Sequence, residues 1–313
     1  MRRLLLLASL LAASPTAAQQ TPAPPPVATP HTTIPHVAPP PAVAQRVLFI
    51  GNSFTQGAHS AVRNWHSASV TDLNGAGYGG VPALFKLFAD QAGLAYDVSL
   101  ETQGGKTLGF HYEERRALID RPWDVVVLQE LSTLSRAKPG DDTDYLRDVE
   151  RLTLLLRARN PAVRIYLMPT WSRADQTYQP DGHWYGKPIA RMADDLRTAA
   201  NRAAEASKVA GIIPVGDAWN RAFATGYADP NPYDGIAANQ VNLWTYDNYH
   251  AGIHGYYLEA LVAFGKITGR DPAALGKDER AADELGISEL QAASMQRLAS
   301  EQLLSETERV PEP

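Results

Sequence analysis

Three side chains in this 313-residue sequence are of the types that nucleophilic catalysis needs: Ser53, Asp247 and His250. A serine hydroxyl is a poor nucleophile until a base takes its proton. Asp247 stands three residues before His250 in the run Tyr246-Asp247-Asn248-Tyr249-His250. From one turn, a carboxylate at that spacing accepts the proton of one ring nitrogen and leaves the other free as a base. By role the three make a triad. Each motif alone has a plainer reading. Asp-x-x-His is also how a surface turn closes an Asx hydrogen bond, and Gly51-Asn52-Ser53 also reads as an ordinary polar turn.

Acyl transfer further needs donors aimed at a developing oxyanion. A backbone N–H that substrate approaches closely favours glycine, which has no side chain in the way. In Gln103-Gly104-Gly105-Lys106-Thr107 the best candidate is Gly105, with Gly104 next. Gln129 offers a side-chain amide, and Glu130 beside it reads as a structural partner rather than an acid catalyst.

These residues must be positioned by elements that the sequence also marks. Val47-Leu48-Phe49-Ile50 is a continuous apolar run of β-branched and aromatic residues stopped by Gly51. It reads as a parallel strand buried on both faces, which sets Ser53 at the carboxyl edge of a sheet, where open α/β sheets carry their chemistry. Further strands are predicted over 96–102, 123–128, 163–168 and 212–215. Helices are predicted over 81–92, 143–159, 189–209, 254–268 and 287–304, with a short one within 112–119. This alternation predicts a three-layer α/β/α fold, a doubly wound, flavodoxin-like sheet of about five parallel strands. In such a sheet Ser53, Gly105, Gln129 and the segment of Asp247 and His250 all leave the strands along one rim.

The remainder of the chain bounds the setting. Arg2 and Arg3, a short apolar core and small residues up to Ala18 read as a signal peptide over 1–18, cleaved near Ala18-Gln19. The apolar run is far short of the ~20 residues a spanning helix needs, so no stable membrane span is expected after cleavage. Residues 19–45 are a proline-rich linker, in which His31 and His36 read as solvated. The folded domain is expected over 46–270 and a helical tail over 271–313. Cysteine is absent, which excludes disulfides, thiolate metal sites, a cysteine nucleophile and a lipid-anchored cysteine. A net charge of -5 without any basic block gives no footprint for nucleic acid. His59, His66, His111, His183 and His254 are scattered, without metal-ligand spacing, so neither metal nor cofactor is expected. The address read from these features is a bacterial periplasm or medium.

The stretch Gly51-Asn52-Ser53-Phe54-Thr55-Gln56-Gly57 resembles the GDSL-type nucleophile block of the SGNH hydrolases, a superfamily named for its Ser, Gly, Asn and His. The order Ser53, Gly105, Gln129, Asp247-x-x-His250 resembles that family's block order over roughly residues 46–269. The resemblance implies an ester hydrolase with Ser53 as nucleophile, His250 as base and Asp247 orienting it. It implies an oxyanion hole made by the N–H of Ser53, the N–H of Gly105 and a side-chain amide. Two departures stand out. Asn52 replaces the usual aspartate before the serine, and no Gly-x-Asn-Asp block follows the third strand. Leu128-Gln129-Glu130-Leu131-Ser132 stands there instead, similar to the Gln-Gly-Glu-Ser stretch of carbohydrate acetylesterases in the same superfamily. Gln129 is therefore expected to replace the asparagine donor.

The loops after the first and fourth strands carry Trp65, His66, Trp171, Tyr178, Trp184 and Tyr185. Aromatic faces on an active rim suit sugar rings or acyl groups, although large rings pack loops just as readily. Trp65, Trp171 and Trp184, with Asn52, are the candidate substrate-binding residues. The expected partner is a small-molecule or glycan ester, foremost an acetylated carbohydrate. A lipase or arylesterase is the runner-up. A catalytically inactive glycan-binding module and a structural envelope protein are the readings of other classes, and neither needs all three of Ser53, Asp247 and His250.

Overall fold

A computed structural model describes residues 43–308. The expected signal peptide, the linker as far as residue 42 with its two histidines, and residues 309–313 lie outside the described residues. Six strands form one open sheet: β1 (Gln45–Gly51), β2 (Thr71–Asp72), β3 (Tyr96–Thr102), β4 (Val125–Leu128), β5 (Arg164–Leu167) and β6 (Gly211–Ile212). Their spatial order is β2-β3-β1-β4-β5-β6, and every pairing is parallel. Leaving out β2, the order is the flavodoxin-type 2-1-3-4-5. The count thus exceeds the expected five by β2, an edge pair of residues beside β3 that is too short to leave a periodic signal.

β1 is central, and its alternation divides the core. Val47 and Phe49 point to one face, Leu48 and Ile50 to the other, and all four are fully buried. On the first face they meet α1 (Gly80–Gln91) through Leu84, Phe85 and Phe88. The same cluster takes in α7 (Val215–Ala224), with Trp219, and α8 (Ile253–Thr268). On the second face they meet α4 (Thr143–Arg159), through Leu152 and Leu156, and α6 (Ala190–Ser207), through Met192 and Leu196. α2 (Leu108–Glu114) and α3 (Arg116–Ile119) link β3 to β4 on that side, and Leu108 and Ile119 join its cluster. Burying each such large apolar side chain is worth about 1.5–3 kcal/mol, so a strand apolar on both faces is fixed in the middle of the sheet.

Element ends follow local chemistry. α4 stops at Asn160, whose Nδ2 donates to the Trp123 carbonyl at 2.8 Å. α6 closes on Lys208 in the left-handed region, φ 50°, and not on Gly211, which opens β6 instead. The predicted strand over 212–215 is cut short because Val215 already begins α7 after Pro214. α8 ends on Gly269, φ 70°, a conformation glycine adopts freely. The tail carries α9 (Arg280–Glu284) and α10 (Glu289–Glu308), whose Met295, Leu298 and Ala299 are buried in the cluster that holds α8. Among the described residues no helix is long and apolar enough to cross a membrane.

Candidate active site

β1 delivers the chain to Gly51, where there is no room for a side chain: a Cβ there would lie 2.5 Å from both Gln129 Oε1 and Thr55 Oγ1. The turn that follows is braced from two neighbouring strands. From the end of β4, Gln129 Oε1 accepts the Asn52 N–H and the Thr55 hydroxyl, each at 2.9 Å, and its Nε2 donates to the Glu130 carbonyl. Towards the end of β3, Asn52 Nδ2 donates to the Lys106 carbonyl at 3.0 Å, while Asn52 Oδ1 accepts the Phe54 N–H at 3.3 Å. From α8, the Tyr256 hydroxyl donates to the Ala58 carbonyl at 3.1 Å, which fixes the far end of the same segment. The consequence is a Ser53 held clear of the strand on a rigid turn.

His250 reaches that serine from the loop before α8. Its Nε2 lies 2.9 Å from Ser53 Oγ, and its Nδ1 lies 2.6 Å from Asp247 Oδ2. The second carboxylate oxygen accepts the N–H groups of Tyr249 and His250 at 3.0 and 2.9 Å, so Asp247 shapes the loop as well as the ring. Partial burial works against its charge, but these hydrogen bonds prevail and hold the Asp247 carboxyl at about 2. Asn248 takes the left-handed conformation, φ 54°, that lets so short a loop turn back, and its carbonyl accepts from Ala174 and Asp175 at the start of α5 (Ala174–Tyr178). The imidazole packs between Tyr249, Phe54 and His59, with ring centres 4.0, 5.3 and 4.6 Å away. Ser53 and the pair His250 and Asp247, nearly two hundred residues further along the chain, therefore form one continuous hydrogen-bonded line.

Gly105 takes φ 69°, and its carbonyl accepts from Arg136 Nη2 at 2.8 Å. With Gly104 it edges a cleft of about 780 Å³ whose other walls include Lys106, Phe110, Arg136 and Arg147. Glu130 stands at the back of that cleft. Burial pushes its carboxyl up to about 8, against the pull of the Leu131 and Leu108 N–H groups that it accepts.

Several expectations need correction. Gln129 is fully buried with both ends of its amide engaged inside the protein, so its side chain braces the nucleophile turn and is not aimed at an oxyanion. Asn52 is likewise buried and internally bonded, which removes it as a substrate contact. Trp171 is fully buried, stacked on Trp219 at 4.5 Å, and donates from Nε1 to the Tyr249 carbonyl at 3.2 Å. It supports the His250 loop from below. Trp184 is buried and donates to Asp195 at 2.9 Å. Trp65 is not excluded in this way: it packs on the apolar core beside His66, which itself meets Glu284 of α9, but it is only half-buried. Their indoles do what large rings do most often in loops, which is to pack.

Other residues come to the site with little or no sequence signal. His59, six residues after Ser53, is not scattered among the other histidines. It takes the left-handed conformation, φ 61°, its Nδ1 lies 2.7 Å from the Tyr246 hydroxyl, and its carbonyl accepts from Thr245 Oγ1 at 3.1 Å. Donor atoms of His59, Asp247 and His250 all lie within 4.8 Å of one another. Arg173 sets its guanidinium 3.5 Å over the Tyr249 ring and is paired with Asp175. Tyr246 and Tyr249 are visible as the flanks of the Asp-x-x-His motif, whereas nothing near His59 announces its partners.

No protein-family model matches the sequence, and no curated protein matches it. Among solved structures, a DUF4886 family protein from Bacteroides uniformis superposes with a TM-score of 0.59 at 19% identity, over 84% of this chain and 96% of its own. A protein described as a GDSL-like lipase, from Parabacteroides merdae, superposes with a TM-score of 0.50 at 19% identity, over 74% of this chain and 99% of its own. At that identity the likeness is one of fold. The chain shares the three-layer α/β/α fold of these two proteins.

Proposed function

We propose that this chain is an exported serine ester hydrolase that removes small acyl groups, foremost acetyl, from a carbohydrate. The observation that carries the reading is the line Ser53–His250–Asp247, with 2.9 Å between hydroxyl and ring and 2.6 Å between ring and carboxylate. These distances are within reach of direct proton transfer. His250 Nε2 takes the proton as Ser53 Oγ bonds to the ester carbon. The carbonyl electrons move onto oxygen, and the backbone N–H groups of Ser53 and Gly105 are assigned to receive that charge. Collapse expels the alcohol, which leaves with the proton from Nε2. Water then repeats the sequence on the acyl-serine and releases the acid. Asp247 remains ionised throughout, stabilising the imidazolium that forms twice in each cycle.

The substrate class rests on the cleft beside Gly105. Its lining of Lys106, Arg136, Arg147, Asp144 and Glu113 around the single ring of Phe110 suits an alcohol rich in hydroxyls. A lipid chain needs continuous apolar walls, which favours the carbohydrate reading over the lipase one. The N-terminal signal pattern supports export.

The test is hydrolysis of p-nitrophenyl acetate and of an acetylated glycan, set against p-nitrophenyl palmitate. Wild type is expected to turn over the acetyl esters and to neglect the long chain. Ser53→Ala is expected to lose at least roughly 10³-fold in kcat/KM with an unchanged melting temperature. Equal activity of Ser53→Ala and wild type would sink the mechanism, and a palmitate preference would move the substrate to the lipase class.

A further inference from the structure

We propose that His59, His250 and Asp247 form a binding site for a divalent transition-metal ion of the zinc class, and that its occupancy switches the serine site off. One donor atom from each residue lies within 4.8 Å of the other two. Two imidazoles and a carboxylate with one open position is the donor set that zinc takes in sites that also hold water. Zinc–nitrogen distances of about 2.0–2.1 Å require donors nearer 3.4 Å apart. His59 has to close by something of the order of 1 Å, and being exposed its ring has room to turn, while the His250–Asp247 pair, at 2.6 Å, has to open slightly.

The His59 ring is already oriented as a metal-bound imidazole is. Such a ring nearly always gives its second N–H to an oxygen, which fixes the tautomer and leaves the other nitrogen its lone pair. His59 has the Tyr246 hydroxyl for that purpose, 2.7 Å from Nδ1, whereas at His250 the cation takes the place of the proton between Nδ1 and Asp247 Oδ2. The backbone of His59 is held in a conformation that few residues other than glycine adopt, φ 61°, with its carbonyl tied to Thr245. A strained backbone held at a site is a sign of preorganisation. His111, bonded to the fully buried Glu101, lacks this arrangement: among the described residues it belongs to no cluster of three metal-ligating side chains.

The effect on turnover follows from bookkeeping of lone pairs. Whichever nitrogen of His250 takes the cation is one the triad uses, since Nε2 serves Ser53 and Nδ1 serves Asp247. Metal capture and base function therefore exclude each other. The binding claim stands by itself, whereas the inhibition rests on the ester-hydrolase reading.

Two measurements separate them. The first is calorimetric titration of chelator-stripped full-length protein with zinc chloride, followed by cobalt chloride with visible spectroscopy to report the coordination. Wild type is expected to bind one equivalent. His59→Asn, a residue that tolerates the left-handed backbone, is expected to weaken binding by about 10- to 100-fold, with His183→Asn as a remote control that leaves it unchanged. His59→Gly serves if the asparagine variant fails to fold. Absence of a stoichiometric site in wild type, or equal affinity in the His59 variant, overturns the proposal. The second measurement is ester turnover against zinc concentration: inhibition should be reversed by chelator and shifted by the same factor in His59→Asn. If wild type binds zinc but hydrolyses no ester, the functional reading fails and the metal site survives.

Discussion

At the scale of single residues, Asp247 does two things with one carboxylate. Oδ2 orients the His250 ring, and Oδ1 closes the turn by accepting two backbone N–H groups. Asp247→Asn keeps the shape and an acceptor for the turn, but can set an amide N–H against Nδ1 and force the wrong tautomer. The expected result is a fall of roughly 10³- to 10⁴-fold in kcat on p-nitrophenyl acetate with a near-native melting temperature. Unchanged turnover in that variant would remove Asp247 from the chemistry. Glu130 gives a pH prediction of opposite sign to the usual carboxylate. Burial raises it from an ordinary 4.5 to about 8, so between those values the folded protein holds a proton that the unfolded chain has released. Stability contributed by the neutral form is present below about 4.5 and is lost as pH rises through 8, by at most about 1.4 kcal/mol per pH unit. Glu130→Gln should flatten that decline relative to wild type in urea melts taken at pH 5, 6, 7 and 8; parallel curves would refute it. Residue types were enough to single out Ser53, Asp247 and His250, the three side chains that the fold joins by hydrogen bonds, because the proposed roles of nucleophile, base and orienter each need a particular functional group. Gln129 was misread because an amide has a donor end and an acceptor end, and position in the chain does not say which end faces where. Trp171 and Trp184 were misread because an indole on a loop looks alike whether it faces solvent or the core.

At the scale of elements, the site is a product of parallel pairing. Gly51 of β1 pairs with Thr102 of β3, and Ile50 of β1 with Leu128 of β4, so three strand ends finish level with one another. That level edge brings Asn52, Lys106 and Gln129 within bonding distance. Gln129 is the tie between β4 and the nucleophile turn. Gln129→Ala leaves the buried Asn52 N–H and Thr55 hydroxyl without their acceptor, at a cost of about 1–3 kcal/mol for each stranded group. The expected outcome is a lower urea midpoint together with a lower kcat, as Ser53 loses its fixed position. Were Gln129 an oxyanion donor instead, kcat would fall while the midpoint held, so measuring both decides between brace and donor. The strands and long helices were legible because apolar runs and 3.6-residue periodicity are local properties. Their ends were less so: α6 closes on a left-handed Lys208 that sequence gives no reason to prefer over the nearby glycine, and β2 exists only because β3 offers it a partner. His59 belongs to the same class of hidden facts, since Tyr246 reaches it across 187 positions.

At the scale of the whole molecule, the question is whether the C-terminal helices belong to the unit that carries the site. The apolar spacing over 287–304 foretold a helix, but an amphipathic pattern never names the surface it will cover. α10 covers α8, the helix that follows His250. Met295, Leu298 and Ala299 are buried in the cluster that includes Tyr256, Leu261 and Phe264. Gly265 of α8 is hemmed in by Leu303 and Pro272, the Tyr257 hydroxyl donates to Glu279 at 2.8 Å, and Arg221 of α7 donates to Gln302 at 3.1 Å. α8 in turn holds the nucleophile segment through Tyr256. We propose that the folding unit extends through α10, beyond the boundary at 270 that composition suggested. A chain ended at Gly276 would uncover an apolar face of α8 and forfeit several buried side chains at about 1.5–3 kcal/mol each, a loss comparable with the 5–15 kcal/mol that hold a typical domain together. The truncated protein is expected to lose its cooperative thermal transition and all ester turnover. Should it instead melt within a few degrees of the full chain and retain activity, the helices after 276 would be an appendage, and α8 would be held well enough by the rest of its cluster, α1 and α7 included.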